Sequence, residues 1–208
     1  SMTRAPWAMP KPAEGFPVGK VEVYDTALGW RFNNPKLAAL FPLEQMGETA
    51  ENVAAEWKVS RADQDAFAFA SHQKALAAMK AGRFKDELVP VEIPQKKGAP
   101  VVVDKDEGPR ADCSLEKLTT LKPAFRDGGT VTAGNSSTLN DGAEALLLMS
   151  ERAAKELGEK PLARYVSFGA AGVSPRLMGI GPIPATKKAL LAAGWGPGQL
   201  AVVELNEA

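Results

Sequence analysis

The segment from 161 to 205 reads PLARYVSFGAAGVSPRLMGIGPIPATKKALLAAGWGPGQLAVVEL. Its apolar stretches at 162–173 and 201–205 predict two β-strands. Between them, Pro184 stands where a first-turn proline belongs, so the pattern predicts a helix that begins there and stops at Gly194. A strand, a helix and a second strand in succession are the repeating unit of an α/β layer.

The residues just before this segment continue the alternation. An apolar run covers 143–149, and Ser150 followed by Glu151 has the composition of a capped helix start. Gly158 is the expected end of that helix. We therefore predict an α/β fold for the last third of the chain.

Two consecutive helices are predicted in the middle of the chain. The first covers 47–57, and the second opens with a capping box formed by Ser60 and Asp63. The second helix extends to about Ala81, because Gly82 is a typical stop. Its predicted packing face consists of residues at three- and four-residue spacing: Ala62, Ala66, Phe69, Gln73 and Leu76.

Shorter elements are predicted on both sides of these helices. Glycine and proline separate short strands at 88–93 and 101–103, and Pro123 closes a helical pattern over 114–121. Residues 1–47 contain proline and glycine too often for a long helix or a central strand. The aromatic residues of that stretch argue against a flexible linker.

Composition limits the classes of function. Hydrophobic residues make up 45% of the 208 residues and charged residues 24%, which excludes wholesale disorder. The formal net charge is zero, so we expect neither a dedicated nucleic-acid binder nor a membrane binder. One cysteine and one histidine allow no internal disulfide and do not suit a His/Cys metal site. With no apolar run of about 18 residues and no apolar signal region after residue 1, we expect a cytoplasmic protein.

Four features could carry chemistry. Cys113 lies near a helix start but beside Asp112, so we interpret it as an incidental cysteine rather than a nucleophile. His72 has polar neighbours within a predicted helix, and we interpret it as solvated or locally hydrogen-bonded. Residues 128–142 concentrate glycine, hydroxyl and amide groups, and 178–184 combine glycines with a methionine. Each of these two segments is either a ligand-binding loop or an ordinary connection.

Seven motifs, taken together, resemble the thiolase family. They occur in order along the chain: MGETAENVA at 46–54, SRADQDAFA at 60–68, LKPAF at 121–125, TVTAGNSS at 130–137, NDGA at 140–143, MGIGP at 178–182 and ELNEA at 204–208. The resemblance covers essentially the whole chain. Thiolases transfer acyl groups between coenzyme A and 3-ketoacyl-CoA. The resemblance therefore implies an acyltransferase with a layered, thiolase-like α/β fold.

The resemblance also implies that most of the catalytic set lies outside these 208 residues. In the family, the nucleophilic cysteine precedes the position of Ser1, and the catalytic histidine and second cysteine follow that of Ala208. Asn206 matches the family asparagine that holds a water in an oxyanion hole. Cys113 inherits no role. We therefore expect the central part of a thiolase, inactive on its own.

Binding positions follow from the same motifs. Arg110 would face the phosphates of coenzyme A, where a permanently charged planar donor suits phosphate oxygens. Three further residues would contact coenzyme A: Phe125, Ala133 and Ser137. Two methionines would line the acyl pocket: Met46 and Met178. Coenzyme A and acyl-CoA are implied as substrates, with neither a metal nor a covalently bound cofactor.

The implied domain organisation has three parts. Residues 1–139 would form the loop domain that covers coenzyme A, 140–158 the end of the N-terminal half, and 159–208 the start of the C-terminal half. Partners would be the remaining thiolase segments and further copies in a homodimer or homotetramer, without nucleic acid or membrane. Two alternatives stay open: a non-catalytic coenzyme A-binding or oligomerisation module, and an enzyme split over separate chains.

Overall fold

The computed structural model describes residues 4–12, 15, 18–27 and 29–206, and the chain groups into two compact units. The central unit covers 50–138, and the first unit combines 1–49 with 139–208. These units are groups of residues that contact one another, and their bounds differ from those of the three parts implied by the resemblance. The three-part organisation given above therefore stays a prediction.

Most of the regular secondary structure in the described part of the chain is helical. The α-helices are α1 (Pro35–Leu40), α2 (Met46–Trp57), α3 (Arg61–Lys80), α4 (Leu115–Thr120), α5 (Glu151–Leu157) and α6 (Pro182–Ala193). Short 3-10 helices cover Pro175–Ile180 and Pro197–Gln199. Antiparallel pairs are formed by β1 (Trp7–Ala8) with β2 (Tyr24–Asp25), and by β3 (Val91–Ile93) with β4 (Val101–Val103).

The helix starts predicted from capping residues are confirmed. At the start of α3, the Asp63 N–H donates to Ser60 Oγ at 3.1 Å. Ser114 and Ser150 cap α4 and α5 through the same type of bond. Gly82, just beyond α3, has a φ of +67°, which glycine adopts without steric cost. These bonds join residues three positions apart, so the sequence alone is enough to locate them.

The packing face predicted for α3 is wrong near its N-terminus. Ala62 and Ala66 are exposed, as is Gln73 further along the predicted face, whereas Asp65 is only 1% exposed. This part of α3 faces α4 and residues 130–135, which offer backbone carbonyls and an amide side chain to polar groups. Apolar periodicity locates a helix, but it does not reveal a polar packing partner.

The two strands predicted at 88–93 and 101–103 form in the central unit, the first only over 91–93, and they pair as an antiparallel hairpin. Its register pairs Val91 with Val103 and Ile93 with Val101, and every residue of both strands is exposed. The hairpin therefore adds nothing to the apolar core of this unit. That core contains Ala54, Leu118 and Val131.

The start of α6 differs from the prediction by two residues. Pro182, rather than Pro184, occupies the first helical position. Either proline suits the first turn, because the N–H groups there have no intrahelical partner. The predicted end is confirmed: Gly194 adopts a left-handed conformation with a φ of +69°.

The chain at 167–170 packs closely against α6. A Cβ placed on Gly169 would lie 2.2 Å from Ala185 O, so only glycine fits at this position without a backbone shift. Ser167 Oγ donates to Ala189 O at 2.8 Å beside this contact. Backbone-to-backbone approach therefore fixes this segment on the helix.

The predicted strands at 162–173 and 201–205 do not form. A strand needs hydrogen bonds to a neighbouring strand, and neither segment pairs with one in the described part of the chain. Their apolar side chains are exposed, and Leu162 and Val202 are examples. The local sequence is apolar as expected for a buried strand, but it does not supply the neighbour that pairing requires.

Residues 1–47 contain a short helix that the density of proline concealed. Asn34 caps α1 by accepting the Lys36 N–H at 2.9 Å, and Pro35 follows at the first helical position. An asparagine before a proline is a recognised helix start. The prediction of no long helix in this stretch nevertheless holds for its described residues.

Candidate functional site

A buried carboxylate holds the small-residue loop, defined here as residues 128–138, against α2. Glu51 in α2 is 4% exposed. Its Oε1 accepts from the N–H groups of Thr130 at 2.8 Å and Val131 at 2.7 Å. Its Oε2 accepts from the N–H and from the hydroxyl of Thr130, both at 3.0 Å. A carboxylate offers only acceptors, so it matches this cluster of donors.

A second buried carboxylate holds the same loop through Asn135. Asp65 in α3 accepts from Asn135 Nδ2 at 3.0 Å. That Nδ2 also donates to Thr130 O at 3.0 Å, and Asn135 Oδ1 accepts the Thr132 N–H at 2.7 Å. Thr132 is completely buried, and its carbonyl accepts the Ser136 hydroxyl at 2.7 Å. Side-chain hydrogen bonds therefore determine the conformation of this loop.

Arg61 connects Asp65 to α4. Its Nε donates to Asp65 Oδ2 at 2.7 Å, one turn further along α3. Its Nη2 donates to the carbonyls of Leu118 at 2.6 Å and Leu121 at 3.1 Å. The Leu118 carbonyl also accepts the Leu121 N–H at the end of α4, and a guanidinium supplies several donors in fixed directions. The network thus joins α3, α4 and the small-residue loop.

Two glycines permit the close packing of the loop. A Cβ on Gly129 would lie 2.3 Å from Glu51 Oε1. A Cβ on Gly134 would lie 2.5 Å from both Leu118 Cδ2 and Leu121 Cδ1. Any larger residue at these positions would have to displace its neighbours. Gly129 and Gly134 therefore serve close packing within the protein, while Gly128 and Gly142 have open space around them, so the choice between a ligand-binding loop and an ordinary connection stays a prediction.

The four residues predicted to contact coenzyme A lie in the central unit, and all are exposed: Arg110, Phe125, Ala133 and Ser137. Ala133 and Ser137 belong to the small-residue loop. Phe125 follows Ala124, whose N–H donates to Val131 O at 2.9 Å. The structure thus brings three of the four positions to this loop and the segment bonded to it.

Arg110 is attached to α3 through its backbone. Its N–H donates to His72 Nδ1 at 3.2 Å. His72 is therefore hydrogen-bonded to a residue far away in sequence, which corrects the solvated or local interpretation. Nearby, Lys117 Nζ forms an ion pair with Asp112 at 3.2 Å, and this hydrogen bond holds the pKa of Asp112 below its usual value. The charge of Arg110 lowers the pKa of Asp112 as well, to a smaller extent than Lys117.

The two predicted acyl-pocket methionines both lie in the first unit. Met46 and Met178 are each about half exposed. The segments that carry them are joined by Arg176, whose Nη2 donates to Glu44 Oε1 at 2.9 Å and whose Nε donates to the same carboxylate. This pairing raises the pKa of Arg176 above its usual value. Trp30 Nε1 also donates to Glu44 O at 3.0 Å.

Two predicted residues remain: Asn206 and Cys113. Asn206 is exposed at the end of the described chain. Cys113 is a free, half-buried thiol. Among the described residues, no cluster of His, Cys, Asp and Glu has the arrangement of a metal site. None of the helices described is long and apolar enough to cross a membrane.

Sequence reasoning missed the residues that hold the small-residue loop. Glu51, Arg61, Asp65 and Asn135 stand in recognised motifs, but no role was assigned to them. The available signal was a charged residue on the packed side of a helix, because burying a charge is costly unless it is paired. Where these residues bond to a different helix or loop, the partner lies 57 to 80 residues away in sequence. A pattern of neighbouring residues therefore cannot identify the partner.

Comparison with known proteins identifies the family. The model for the thiolase N-terminal domain matches residues 1–152, and that for the thiolase C-terminal domain matches 159–208. An acetyl-CoA acetyltransferase of Pseudomonas aeruginosa is 49% identical over the whole chain, which covers 52% of that protein. A beta-ketoadipyl-CoA thiolase of Acinetobacter baylyi is 47% identical, with the same coverage.

Solved structures agree with these matches. The acetyl-CoA acetyltransferase of Bacillus anthracis is 43% identical with a TM-score of 0.80, over 95% of this chain and 48% of that one. Human mitochondrial 3-ketoacyl-CoA thiolase is 36% identical with a TM-score of 0.81, over 100% and 50%. The chain therefore spans about half the length of the relatives it matches, and the predicted thiolase-like α/β fold is confirmed. On this sequence and structural similarity, the chain belongs to the thiolase family.

Proposed function

We propose that this chain is part of an acyltransferase that moves acyl groups between coenzyme A and 3-ketoacyl-CoA. In the proposed reaction, a cysteine thiolate attacks the acyl carbonyl carbon and expels one product. A second substrate then attacks the acyl-enzyme and releases the cysteine. Two covalent steps replace one more difficult step. The names of the relatives, acetyl-CoA acetyltransferase and beta-ketoadipyl-CoA thiolase, support this reaction class.

In this proposal the chain supplies the contacts to coenzyme A, while the nucleophile lies outside the 208 residues. The observation that carries it is the small-residue loop: its interior is held by buried carboxylates, and Ala133 and Ser137 remain exposed. A small side chain and a hydroxyl let a narrow polar chain such as pantetheine approach the backbone closely. Phe125, 37% exposed beside the loop, would form an apolar wall of the same channel.

Arg110 would bind the nucleotide end of coenzyme A. It is exposed, and it is free of the ion pair that occupies its neighbour Asp112. Its backbone is anchored to His72, so the base of the side chain has a defined position. A guanidinium can donate two parallel hydrogen bonds to a phosphate group.

Met46 and Met178 would line the acyl pocket. The ion pair between Glu44 and Arg176 joins the chain segments two residues before each methionine. Methionine is flexible and polarizable, so the pair would form an adaptable apolar wall. Asn206 would hold a water in the oxyanion hole, and the parts 1–139, 140–158 and 159–208 would have the domain roles given above.

Titration of coenzyme A into the chain tests the proposal. Replacing Arg110→Ala should weaken binding by about 1–2 kcal/mol, because charge-assisted hydrogen bonds to phosphate are lost. The difference should become smaller as salt rises, because exposed charges are screened. Lys122→Ala, which removes an exposed cation elsewhere in the same unit, is the matched control. Equal affinities of parent and Arg110→Ala at every salt concentration would remove Arg110 from the site.

A further inference from the structure

We propose that Glu51 is a positioning residue for coenzyme A. Its carboxylate would set the conformation of the small-residue loop from which Ala133 and Ser137 meet the pantetheine arm. The inference rests on the proposed coenzyme A contacts. It goes beyond them by assigning a binding role to a side chain that is itself buried, at 4% exposure.

The hydrogen bonds of Glu51 concentrate on the start of the loop. Its two carboxylate oxygens accept hydrogen bonds from the Thr130 N–H, the Val131 N–H and the Thr130 hydroxyl, at 2.7 to 3.0 Å. Hydrogen bonds to an ionised acceptor are stronger than neutral ones. Val131 is 7% exposed, so water could not replace the carboxylate without a change of the loop.

The rest of the loop depends on a different anchor. Asn135 and Asp65 hold its second half, through bonds of 2.7 Å to Thr132 and 3.0 Å to Asp65. Ala133 therefore lies between the start of the loop, held by Glu51 on α2 and by a 2.9 Å bond from Gln64 Nε2 on α3 to the Thr130 hydroxyl, and the second half, held by Asp65 on α3. Removing the first anchor would leave the second intact, so the loop would shift about it rather than unfold.

Arg110 belongs to neither anchor. Its backbone is bonded to His72, and no hydrogen bond in the described chain connects it to Glu51 or to the loop. Loss of Glu51 should therefore affect the pantetheine contacts and spare the nucleotide contacts. A general loss of stability in the central unit would weaken both, so the two explanations give different results.

The experiment compares two probes on the same chain: coenzyme A, and adenosine 3′,5′-bisphosphate, which lacks the pantetheine arm. For Glu51→Ala we expect coenzyme A affinity to fall about tenfold, while affinity for the bisphosphate changes by less than about twofold. Glu51→Gln should lose less coenzyme A affinity than Glu51→Ala and keep its affinity for the bisphosphate, because its amide oxygen can replace Oε1 and accept both N–H groups, although its NH2 group would then face the Thr130 N–H that Oε2 accepts. Glu56→Ala, an exposed glutamate of the same helix, should bind both probes like the parent.

The outcomes separate this inference from the proposed function. Unchanged coenzyme A affinity in folded Glu51→Ala, or an equal loss for both probes, would overturn the positioning role. A parent chain that binds neither probe would instead contradict the proposed coenzyme A contacts. If Glu51→Ala does not fold, Thr130→Val removes the hydroxyl that donates to the carboxylate and accepts from Gln64 Nε2, and keeps the volume. That variant should lose coenzyme A affinity about threefold and keep the bisphosphate; no selective loss there would also refute the role.

Discussion

Replacing Asp65→Asn should destabilise the central unit severely, although it removes no volume. Asp65 accepts from Arg61 Nε at 2.7 Å and from Asn135 Nδ2 at 3.0 Å, and its side chain is 2% exposed. An asparagine has one acceptor oxygen in place of two. Whichever way the asparagine amide is turned, its NH2 group would face one of the two donors, either Arg61 Nε or Asn135 Nδ2. One of the two hydrogen bonds would become a contact between donors, and the Arg61 charge would lose its counter-ion.

The magnitude follows from the burial of the two partners. Breaking a buried ion pair by neutralising one partner typically costs about 3–5 kcal/mol. The Arg61 side chain is 25% exposed and keeps its bonds to the Leu118 and Leu121 carbonyls, so part of its charge stays solvated. We therefore expect a loss of about 2–4 kcal/mol in the free energy of unfolding.

Urea denaturation followed by far-UV circular dichroism measures this loss. The matched control is Glu156→Gln, because Arg152 and Glu156 form a pair with the same spacing on α5. Those side chains are 84% and 63% exposed, so the control should change stability by less than about 0.5 kcal/mol. A similarly small change in Asp65→Asn would show that the buried pair does not stabilise the fold, and our account of the network would be wrong.

Other consequences can be tested separately. The 208-residue chain should show no thiolysis of acetoacetyl-CoA in a spectrophotometric assay, and turnover that Cys113→Ser abolishes would contradict our assignment of the nucleophile to another segment. Gly169→Ala should lower the urea midpoint, at a cost of about 1–3 kcal/mol, because its Cβ would lie 2.2 Å from Ala185 O; an unchanged midpoint would mean that α6 shifts easily. Lys117→Met should raise the pKa of Asp112 toward its usual value, because the hydrogen bond that lowers it is gone. In the parent, the stability that this pair contributes is present above the usual aspartate pKa and is lost as the pH falls through the lowered pKa of Asp112. NMR titration measures the pKa of Asp112 in both proteins, and equal values in the parent and in Lys117→Met would refute the pairing.

The sequence was sufficient for several features that depend on neighbours in the chain, although the local start of α1 at Asn34 was missed. Ser60, Ser114 and Ser150 begin helices through bonds to residues three positions ahead, and each start was predicted. The strands β3 and β4 were also predicted, because glycine and proline residues bound them locally. These features need no knowledge of the tertiary fold.

Features that depend on distant partners were predicted poorly. The apolar segments at 162–173 and 201–205 have the composition of strands, but no strand pairs with them in the part of the chain described. Glu51 and Asp65 bind a loop 70 to 80 residues further along the chain, and nothing local distinguishes them from solvated carboxylates. Composition singled out the loop, through its glycine, hydroxyl and amide groups, and the motif resemblance then implied that it contacts coenzyme A.

The exposed apolar segments also determine how the chain behaves in concentrated solution. Leu146, Leu147 and Leu148 are 77%, 83% and 79% exposed. An extended apolar segment without a partner strand is a template for pairing with another chain. The formal net charge is zero at pH 7, so little electrostatic repulsion would keep two copies apart. Self-association should therefore increase steeply with protein concentration, and moving the pH away from neutrality should slow it.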